Sequence, residues 1–424
     1  MKYNAPKGTK DILPEEIFRW QKAERVFAEV CEQYGYKEIR IPTFEHTELF
    51  LRGVGDTTDV VQKEMYTFED KGGRSISLRP EGTAGVVRSY IENGMSSLPS
   101  PVRLYYNMTA FRYENVQKGR YREFHQFGLE AFGAQGPVID AEIISILALY
   151  FARMGLTQTS LCINSIGCPV CRSEYNECLR DYYRLGLDTM CGDCKGRFEK
   201  NPLRMLDCKE KHCHGLAQEA PKLLDHLCAD CLAHFEGLKK NLDTLGITYK
   251  IDPGIVRGLD YYTRTVFEFI SEHVGTQGTI CGGGRYDGLV EKMGGSSVPG
   301  IGFAMGVERF LMEVDAQGIE VDPAQTVRLY IAPMSPEACV YAQTLSYSLR
   351  KAGIGCETDL IGRSFNAQLK YAGKTGVPYL LVLGDDEVSS LKARIKNMKD
   401  GTQTESDLSN LADIIKTINN SNHF

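Results

Sequence analysis

Eight cysteines in four short pairs are the first residues of this sequence that could do chemistry: Cys168 with Cys171, Cys191 with Cys194, Cys208 with Cys213, and Cys228 with Cys231. Thiolates so closely spaced can converge on one ion, and eight of them suffice for two four-thiolate zinc sites. His212, His214, His226 and His234 are alternative ligands in the same stretch. The sequence leaves three states open to these thiols: zinc-bound, reduced and unliganded, or, as the minor case, disulfide-bonded.

Five further segments carry polar groups where they could meet a ligand. In Arg79-Pro80-Glu81-Gly82-Thr83 a strand gives way to a helix running to about Ile91. Glu81 and Thr83 then project from a helix N-terminus, either toward a ligand or as plain caps. Residues 102–114 alternate so that Val102, Leu104, Tyr106, Met108 and Ala110 share a face that continues into Arg112 and Glu114. Residues 120–132 alternate again, with Phe124, Gln126, Gly128 and Glu130 on one face. Two such runs around a short polar loop predict an antiparallel hairpin. Burying its charges without partners would cost several kcal/mol, so the face is either solvated or a polar floor beneath a ligand. The loop carries Lys118, Arg120 and Arg122, a basic tip suited to nucleic-acid phosphates. Arg112 on the floor suits a phosphate because its planar fork is always charged and bidentate. The stretches Arg257-Gly258-Leu259-Asp260-Tyr261-Tyr262 and Gly282-Gly283-Gly284-Arg285-Tyr286-Asp287-Gly288 combine close backbone approach with aromatic walls and hydroxyls. Finally, Gly306-Val307-Glu308-Arg309 opens a helix and places Arg309 near the same floor.

The elements that must position these groups follow from hydrophobic period. Residues 15–34 place Ile17, Trp20, Phe27, Val30, Cys31 and Tyr34 at helical spacing. Residues 137–154 read as an apolar helix and 160–166 as a strand. Residues 168 to about 240 turn charged, Cys-rich and helical before strand texture resumes at 247–251 and 262–270, the pattern of an inserted domain. Beyond a linker at 317–324, strands at 327–333, 355–359 and 377–383 alternate with helices at 336–352, 365–372 and 408–418, which predicts a small α/β domain with a mostly parallel sheet.

The chain has 424 residues, with 49 Lys+Arg against 55 Asp+Glu and a net charge of −6. That length predicts two to four domains, and 42% hydrophobic with 25% charged residues excludes disorder, collagen and coiled coil. The mild negative charge argues against a DNA-coating protein while leaving room for a partner held by a local basic face. The longest apolar run, residues 143–151, falls short of the ~18 a membrane span needs. With no apolar signal core at the N-terminus, the expected compartment is the cytoplasm.

In this order the segments resemble the class II aminoacyl-tRNA synthetases, and within them the histidyl-tRNA synthetase family. Residues 111–114 with their loop are similar to the class's second motif, residues 306–309 to its third, and residues 257–262 and 282–288 to two signatures of the histidine enzymes. The resemblance implies an α+β catalytic domain, an antiparallel sheet flanked by helices, over residues 1–320. A helical Cys-rich insertion would interrupt it at 168–245, and a C-terminal α/β anticodon-binding domain would occupy 326–424. It implies ATP-dependent activation of L-histidine and transfer to the terminal adenosine of histidine tRNA, with Mg2+ on the leaving phosphates. Arg112 and Arg257 would hold the α-phosphate, Arg309 the γ-phosphate, and Glu114 the adenine end. Glu81, Thr83 and Gln126 would take the histidine ammonium, Glu130 and Tyr262 its imidazole, and Tyr261 and Tyr286 the pocket lining. Gln117, Lys118, Arg120 and Arg122 would meet the tRNA acceptor end, although Asn115-Val116 stand where the family usually has Arg-Pro. A homodimer is implied, with the Trp20 helix region at its interface. The alternative is a non-catalytic, synthetase-like regulatory subunit of histidine biosynthesis, which would be expected to lack the C-terminal domain.

Overall fold

The structure, a computed structural model, describes residues 3–55, 58, 60–208, 210–256, 261–271, 273, 278–323 and 326–419. The chain forms two compact units, Met1–Asp322 and Pro323–Phe424. Among the described residues, no helix is long and apolar enough to cross a membrane.

The first unit is organised by an eight-stranded sheet. Its strands in chain order are β1 (Lys37–Glu38), β2 (Val102–Phe111), β3 (Glu123–Phe132), β4 (Ser160–Ser165), β5 (Lys250–Ile251), β6 (Thr263–Ile270), β7 (Thr279–Arg285) and β8 (Gly300–Gly306). Across the sheet the order is β1-β2-β3-β8-β7-β6-β4-β5. The pairings from β2 to β4 are all antiparallel, and only the two short edge strands pair in parallel. The β2–β3 hairpin sets Leu104 opposite Glu130, Tyr106 opposite Gly128 and Met108 opposite Gln126, so period-two alternation does put the polar residues on one face.

The other face of the sheet is dry. Helix α1 (Pro14–Gln33) and helix α2 (Pro137–Arg153) lie against it, and Phe27, Phe127, Tyr150, Phe303 and Phe310 share one apolar cluster. Phe27 stacks on Phe127 at 4.7 Å between ring centroids, and Tyr150 on Phe310 at 4.9 Å. Trp20 is buried in this packing, edge-on to His125 at 4.8 Å. The face of α1 that carries Trp20 is therefore packed within the chain.

The Cys-rich stretch opens with helix α3 (Pro169–Arg184) after β4, followed by short helices at Gly192–Lys200 and Lys211–Gln218. Its far boundary is different. Helix α4 (Ala229–Thr244) sends Phe235, Leu238 and Leu242 into the core of the first unit beside α2, because those positions fall on one helical stripe. His234 on the same helix is not poised for a metal: its Nε2 lies 2.7 Å from Asp140 Oδ2, and both side chains are buried.

The second unit holds a five-stranded sheet in which Leu329–Pro333, Cys356–Thr358 and Tyr379–Leu383 pair in parallel. Here the expected mostly parallel sheet is only half the picture, because Lys392–Asn397 and Gln403–Asp407 add an antiparallel hairpin at one edge. Their solvent-side positions are charged or polar, and only Ala393 and Ile395 in the first strand and Ser406 in the second turn inward. The last helix begins at Leu411 rather than 408.

Arg285, within the glycine-rich stretch 282–288, is a tie-rod. Fully buried, it pairs with Asp140 through Nη2, and donates to Asp287 Oδ1 at 3.0 Å, Ala134 O at 2.9 Å and Gly136 O at 3.1 Å. Burial alone would raise the Asp140 carboxyl, yet His234 and Arg285 together hold it below the ordinary carboxylate range. Asp140→Ala would leave the buried Arg285 cation with only the partly exposed Asp287 beside it, so urea denaturation is expected to show a loss of about 3 kcal/mol, the low end for a broken buried pair. A loss well under 1 kcal/mol would show that water reaches the cation.

Candidate active site

On the polar face of the sheet lies a cleft of about 250 Å3. Its lining includes Glu81, Thr83 and Gln126 at one end, Tyr261 and Tyr262 beside them, and Arg112, Glu114, Arg120 and Arg309 at the other.

The cationic end is assembled from two elements. Arg112 closes β2 and is fixed by Nε donating to Pro80 O at 2.8 Å, with its guanidinium 5.4 Å from the Phe124 ring. Arg309 sits in the first turn of helix α5 (Val307–Ala316), which follows β8. Its Nη1 donates to Thr279 O at 3.0 Å and its Nε to Gly119 O at 3.3 Å in the hairpin loop. Glu308, next to it, accepts from His125 N at 2.9 and 3.1 Å through its two oxygens and meets His125 Nδ1 at 3.0 Å. That clamp joins α5 to β3 and sets the direction of Arg309. Burial, and then the neighbouring Arg120 and Arg112, lower the pKa of Arg309, while Glu114 opposes them. Arg120 Nη1 lies 3.4 Å from Glu114 Oε2 and Arg112 Nη1 3.8 Å from Glu114 Oε1. Three cations thus converge on one carboxylate, and a bound polyanion would relieve their repulsion.

The other end is a carboxylate network. Glu130, with no exposure, accepts from Thr83 Oγ1 at 2.7 Å and Tyr106 OH at 3.3 Å through Oε1, and from Tyr286 OH through Oε2. It lies below the cleft wall with Tyr286, which is also buried and not a lining residue. Space for it exists because Gly302 stands opposite on β8, where a Cβ would lie 1.9 Å from Glu130 Oε2. Burial pushes the Glu130 carboxyl up to about 8; the Tyr286 and Thr83 hydroxyls pull the other way and nearby Glu81 adds to the rise. Burial also raises Tyr106, Tyr261 and Tyr286 well above the ordinary tyrosine range, so all three remain neutral donors.

Glu81 turns out to be both cap and wall. It accepts from Thr83 N at 2.7 Å and Ala84 N at 2.9 Å, capping the helix Thr83–Glu92, while lining the cleft. Two oxygens carry about four lone-pair positions, which leaves acceptor capacity for a cation in the cleft. Gln126 Oε1 accepts from Gly82 N at 3.1 Å.

The hairpin loop divides. Arg120 turns into the cleft, a role that its place in a basic tip did not reveal, whereas Arg122 stacks over Tyr113 at 3.6 Å and is tied by its own N–H to Gly8 O at 2.7 Å. Gln117 and Lys118 remain exposed. Arg257 and residues 258–260 lie outside the described residues. Glu308 and Tyr106 were not anticipated; Glu308 is the acidic residue directly before a candidate arginine, and Tyr106 shares the floor's alternation.

Both cysteine groups close into sets of four. The sulfurs of Cys168, Cys171, Cys228 and Cys231 lie within 4.8 Å of one another, as do those of Cys191, Cys194, Cys208 and Cys213. All are free thiols.

An antiparallel sheet whose polar hairpin and following helix bring arginines together over one cleft defines a class II aminoacyl-tRNA synthetase. A family pattern described as "Histidyl-tRNA synthetase" matches residues 8–169 and 194–310, and one described as "Anticodon binding domain" matches residues 328–418. The chain belongs to the histidyl-tRNA synthetase family. It is 62% identical to a histidine–tRNA ligase of Acetivibrio thermocellus over 97% of this chain and 99% of that one. A ligase of the same name from Caldicellulosiruptor saccharolyticus is 52% identical over 98% and 100%. The crystal structure of apo Staphylococcus aureus histidyl-tRNA synthetase superposes with a TM-score of 0.84 at 41% identity, covering 98% of this chain and all of that one. The Nostoc histidyl-tRNA synthetase, at 22% identity and a TM-score of 0.71, shares the fold.

The Glu130 network makes a pH prediction. In the folded chain its pKa is about 8 against an ordinary 4.5, so its contribution to stability is complete below 4.5 and is lost as pH rises through about 8. Urea midpoints of the wild type are expected to fall across that window relative to Glu130→Gln. Parallel pH profiles for the two proteins would show that Glu130 ionises normally.

Proposed function

We propose that this cleft joins L-histidine to ATP and then to histidine tRNA in two steps. In the first, a histidine carboxylate oxygen bonds to the α-phosphorus of MgATP, the bond from that phosphorus to the bridging oxygen breaks, and pyrophosphate leaves. In the second, a hydroxyl of the tRNA's terminal adenosine attacks the acyl carbon and AMP leaves. Magnesium enters as part of the nucleotide substrate.

The observation that carries this reading is the convergence of Arg112, Arg120 and Arg309 on one cleft whose opposite end is lined by Glu81, Thr83, Gln126 and Tyr262. Negative charge grows at phosphorus in the first step, and fixed cations that need no reorganisation stabilise it most. Arg112 takes the α-phosphate, with Arg257 as a second cation there, and Arg309 takes the γ-phosphate. Arg120 joins the triphosphate end rather than the tRNA. Glu114 holds the adenine end, beside the Phe124 ring. Glu81, Thr83 and Gln126 receive the histidine ammonium. The imidazole lies along Tyr261 and Tyr262, whose rings are 4.7 Å apart, over the Glu130–Tyr286 network that fixes the floor. A neutral imidazole presents one donor and one acceptor, and a site that satisfies both rejects other side chains strongly.

Gln117 and Lys118, exposed at the loop tip, are the groups of that loop left for the acceptor end, and the second unit takes the anticodon. The eight insertion cysteines hold zinc with a structural part and none in the chemistry. The enzyme works in the cytoplasm as a homodimer. The regulatory-subunit reading is weaker: a structure described as a regulatory subunit or histidyl-tRNA synthetase shares the fold at 22% identity, but this chain keeps the anticodon-binding region and the cationic cleft.

Histidine-dependent exchange of pyrophosphate into ATP tests the assignment. Arg112→Ala is expected to lower kcat/KM for ATP by about 10²–10³-fold, the usual loss when one fixed donor to the transition state is removed, and Arg257→Ala to abolish exchange. Equal exchange with a different amino acid would overturn the specificity.

A further inference from the structure

The two thiolate clusters are nested. Cys168 and Cys171 open the insertion, Cys228 and Cys231 end it, and together they form the root cluster; Cys191, Cys194, Cys208 and Cys213 form an outer cluster wholly within the loop so closed. Four sulfurs in mutual contact are what one ion requires, whereas a disulfide needs only a pair at about 2.05 Å. Zinc–thiolate bonds of about 2.3 Å give a tetrahedron whose edge is about 3.8 Å. Cys168 and Cys171 sulfurs are 3.6 Å apart, and Cys191 and Cys208 sulfurs 3.8 Å. Backbone N–H groups already point at sulfur, from Cys228 to Cys171 Sγ at 3.1 Å and from Cys194 to Cys191 Sγ at 3.4 Å. Cys168 and Cys228 are also the N-cap residues of α3 and α4, so two helix N-termini favour the negative charge of the root thiolates.

The root cluster, unlike the outer one, reaches the histidine end of the cleft. Gly167 precedes Cys168 at φ +60°, and a Cβ there would lie 2.7 Å from Cys171 Cβ. Ile166 N donates to Arg264 O at 2.7 Å and Arg264 N to Gly167 O at 2.8 Å. Arg264 is held at φ +52°, a conformation costing about 1–2 kcal/mol for a side-chain-bearing residue. It lies where the β6–β7 register slips, Arg285 facing Thr263 while Gly284 faces Val266. From Arg172, next to Cys171, Nη1 donates to Tyr262 O at 3.2 Å.

We propose that the insertion carries two zinc ions with different tasks: the outer ion holds the insertion's own fold, and the root ion fixes the bulge that presents Tyr261 and Tyr262 to histidine. This rests on the histidine-activating reading of the cleft. Arg172 is thereby a positioning residue.

Elemental analysis of the purified full chain, dialysed under reducing conditions, is expected to find two zinc ions per chain, and cobalt exchange to give thiolate-to-cobalt charge-transfer bands. Cys208→Ser with Cys213→Ser should lose one zinc and keep the KM for histidine. Cys228→Ser with Cys231→Ser should lose one zinc and raise it. Arg172→Ala should keep both ions yet raise the histidine KM about fivefold, the factor carried by one ordinary hydrogen bond, with the ATP KM and kcat unchanged and Arg172→Lys restoring the value. Chain without bound metal, or with iron in zinc's place, would overturn the zinc assignment. Two zinc ions with an unaltered histidine KM in Arg172→Ala, or equal rises for histidine and ATP, would overturn the coupling. If the wild type holds two zinc ions but activates no histidine, the reading of the cleft fails while the metal sites stand.

Discussion

Glu130 is a carboxylate buried without exposure in the middle of an eight-stranded sheet, and its need for hydrogen bonds ties together elements that are remote in the chain. Its three hydroxyl donors come from the helix after the Arg79–Thr83 turn, from the neighbouring strand of the hairpin, and from the glycine-rich segment ending at Gly288. A buried carboxylate with missing donors would cost more than any one of these bonds contributes, so the three segments are held in mutual register. Small residues are the counterpart of that demand. Gly302 makes room for Glu130, and Gly128 for Tyr106, whose Cζ would lie 2.1 Å from a Cβ there. Glycine on the polar face is thus set by how closely side chains must cross the sheet.

The cationic end obeys a different constraint, since its groups must stay unneutralised. Arg112, Arg120 and Arg309 are oriented chiefly through backbone carbonyls and one shared carboxylate, Glu114. Carbonyl acceptors fix a guanidinium without cancelling its charge. Arg285 shows the contrast: paired with Asp140 and Asp287 and wholly buried, it holds structure and offers nothing to a ligand. Arg112 and Arg309, which donate to neutral carbonyls, line a cleft, whereas Arg285, held between two carboxylates, ties the fold.

That distinction marks what was legible in the sequence. Alternation gave the hairpin, the face carrying Gln126 and Glu130, and Arg112 at the strand's end, because those depend on local period, while Arg309 followed from the helix that opens after Gly306. Cysteine spacing gave the thiol pairs but not which pairs would meet, since α3 and the two short helices after it decide that. The role of Arg120 could not be read, because the turn between Gln117 and Arg120 sets its direction. Helix α4 read as insertion because its charges follow the Cys-rich run without a break, while its Phe235-Leu238-Leu242 stripe belongs to the core. The edge hairpin at Lys392–Asn397 did carry an alternating signal, weakened by charges at every second position. The Trp20 stripe is buried within the chain, and burial within one chain and burial between two leave the same apolar stripe in sequence.

The insertion poses the reverse problem to the cleft, too few contacts rather than too many charges. Its inner helices, Gly192–Lys200 and Lys211–Gln218, span two to three turns, a length at which a helix in water is marginal without tertiary support. Tyr175, Leu179, Tyr183, Phe198 and Met205 are buried there, but they form one apolar cluster with Ile166, Tyr262 and Tyr286 of the catalytic unit. A segment that shares its core with the active site transmits its own disorder to it. An ion held at each four-thiol group would remove unfolded conformations that the segment's small core cannot exclude. One of those groups sits at the root, where Gly167 O accepts from the N–H of Arg264, itself held at positive φ.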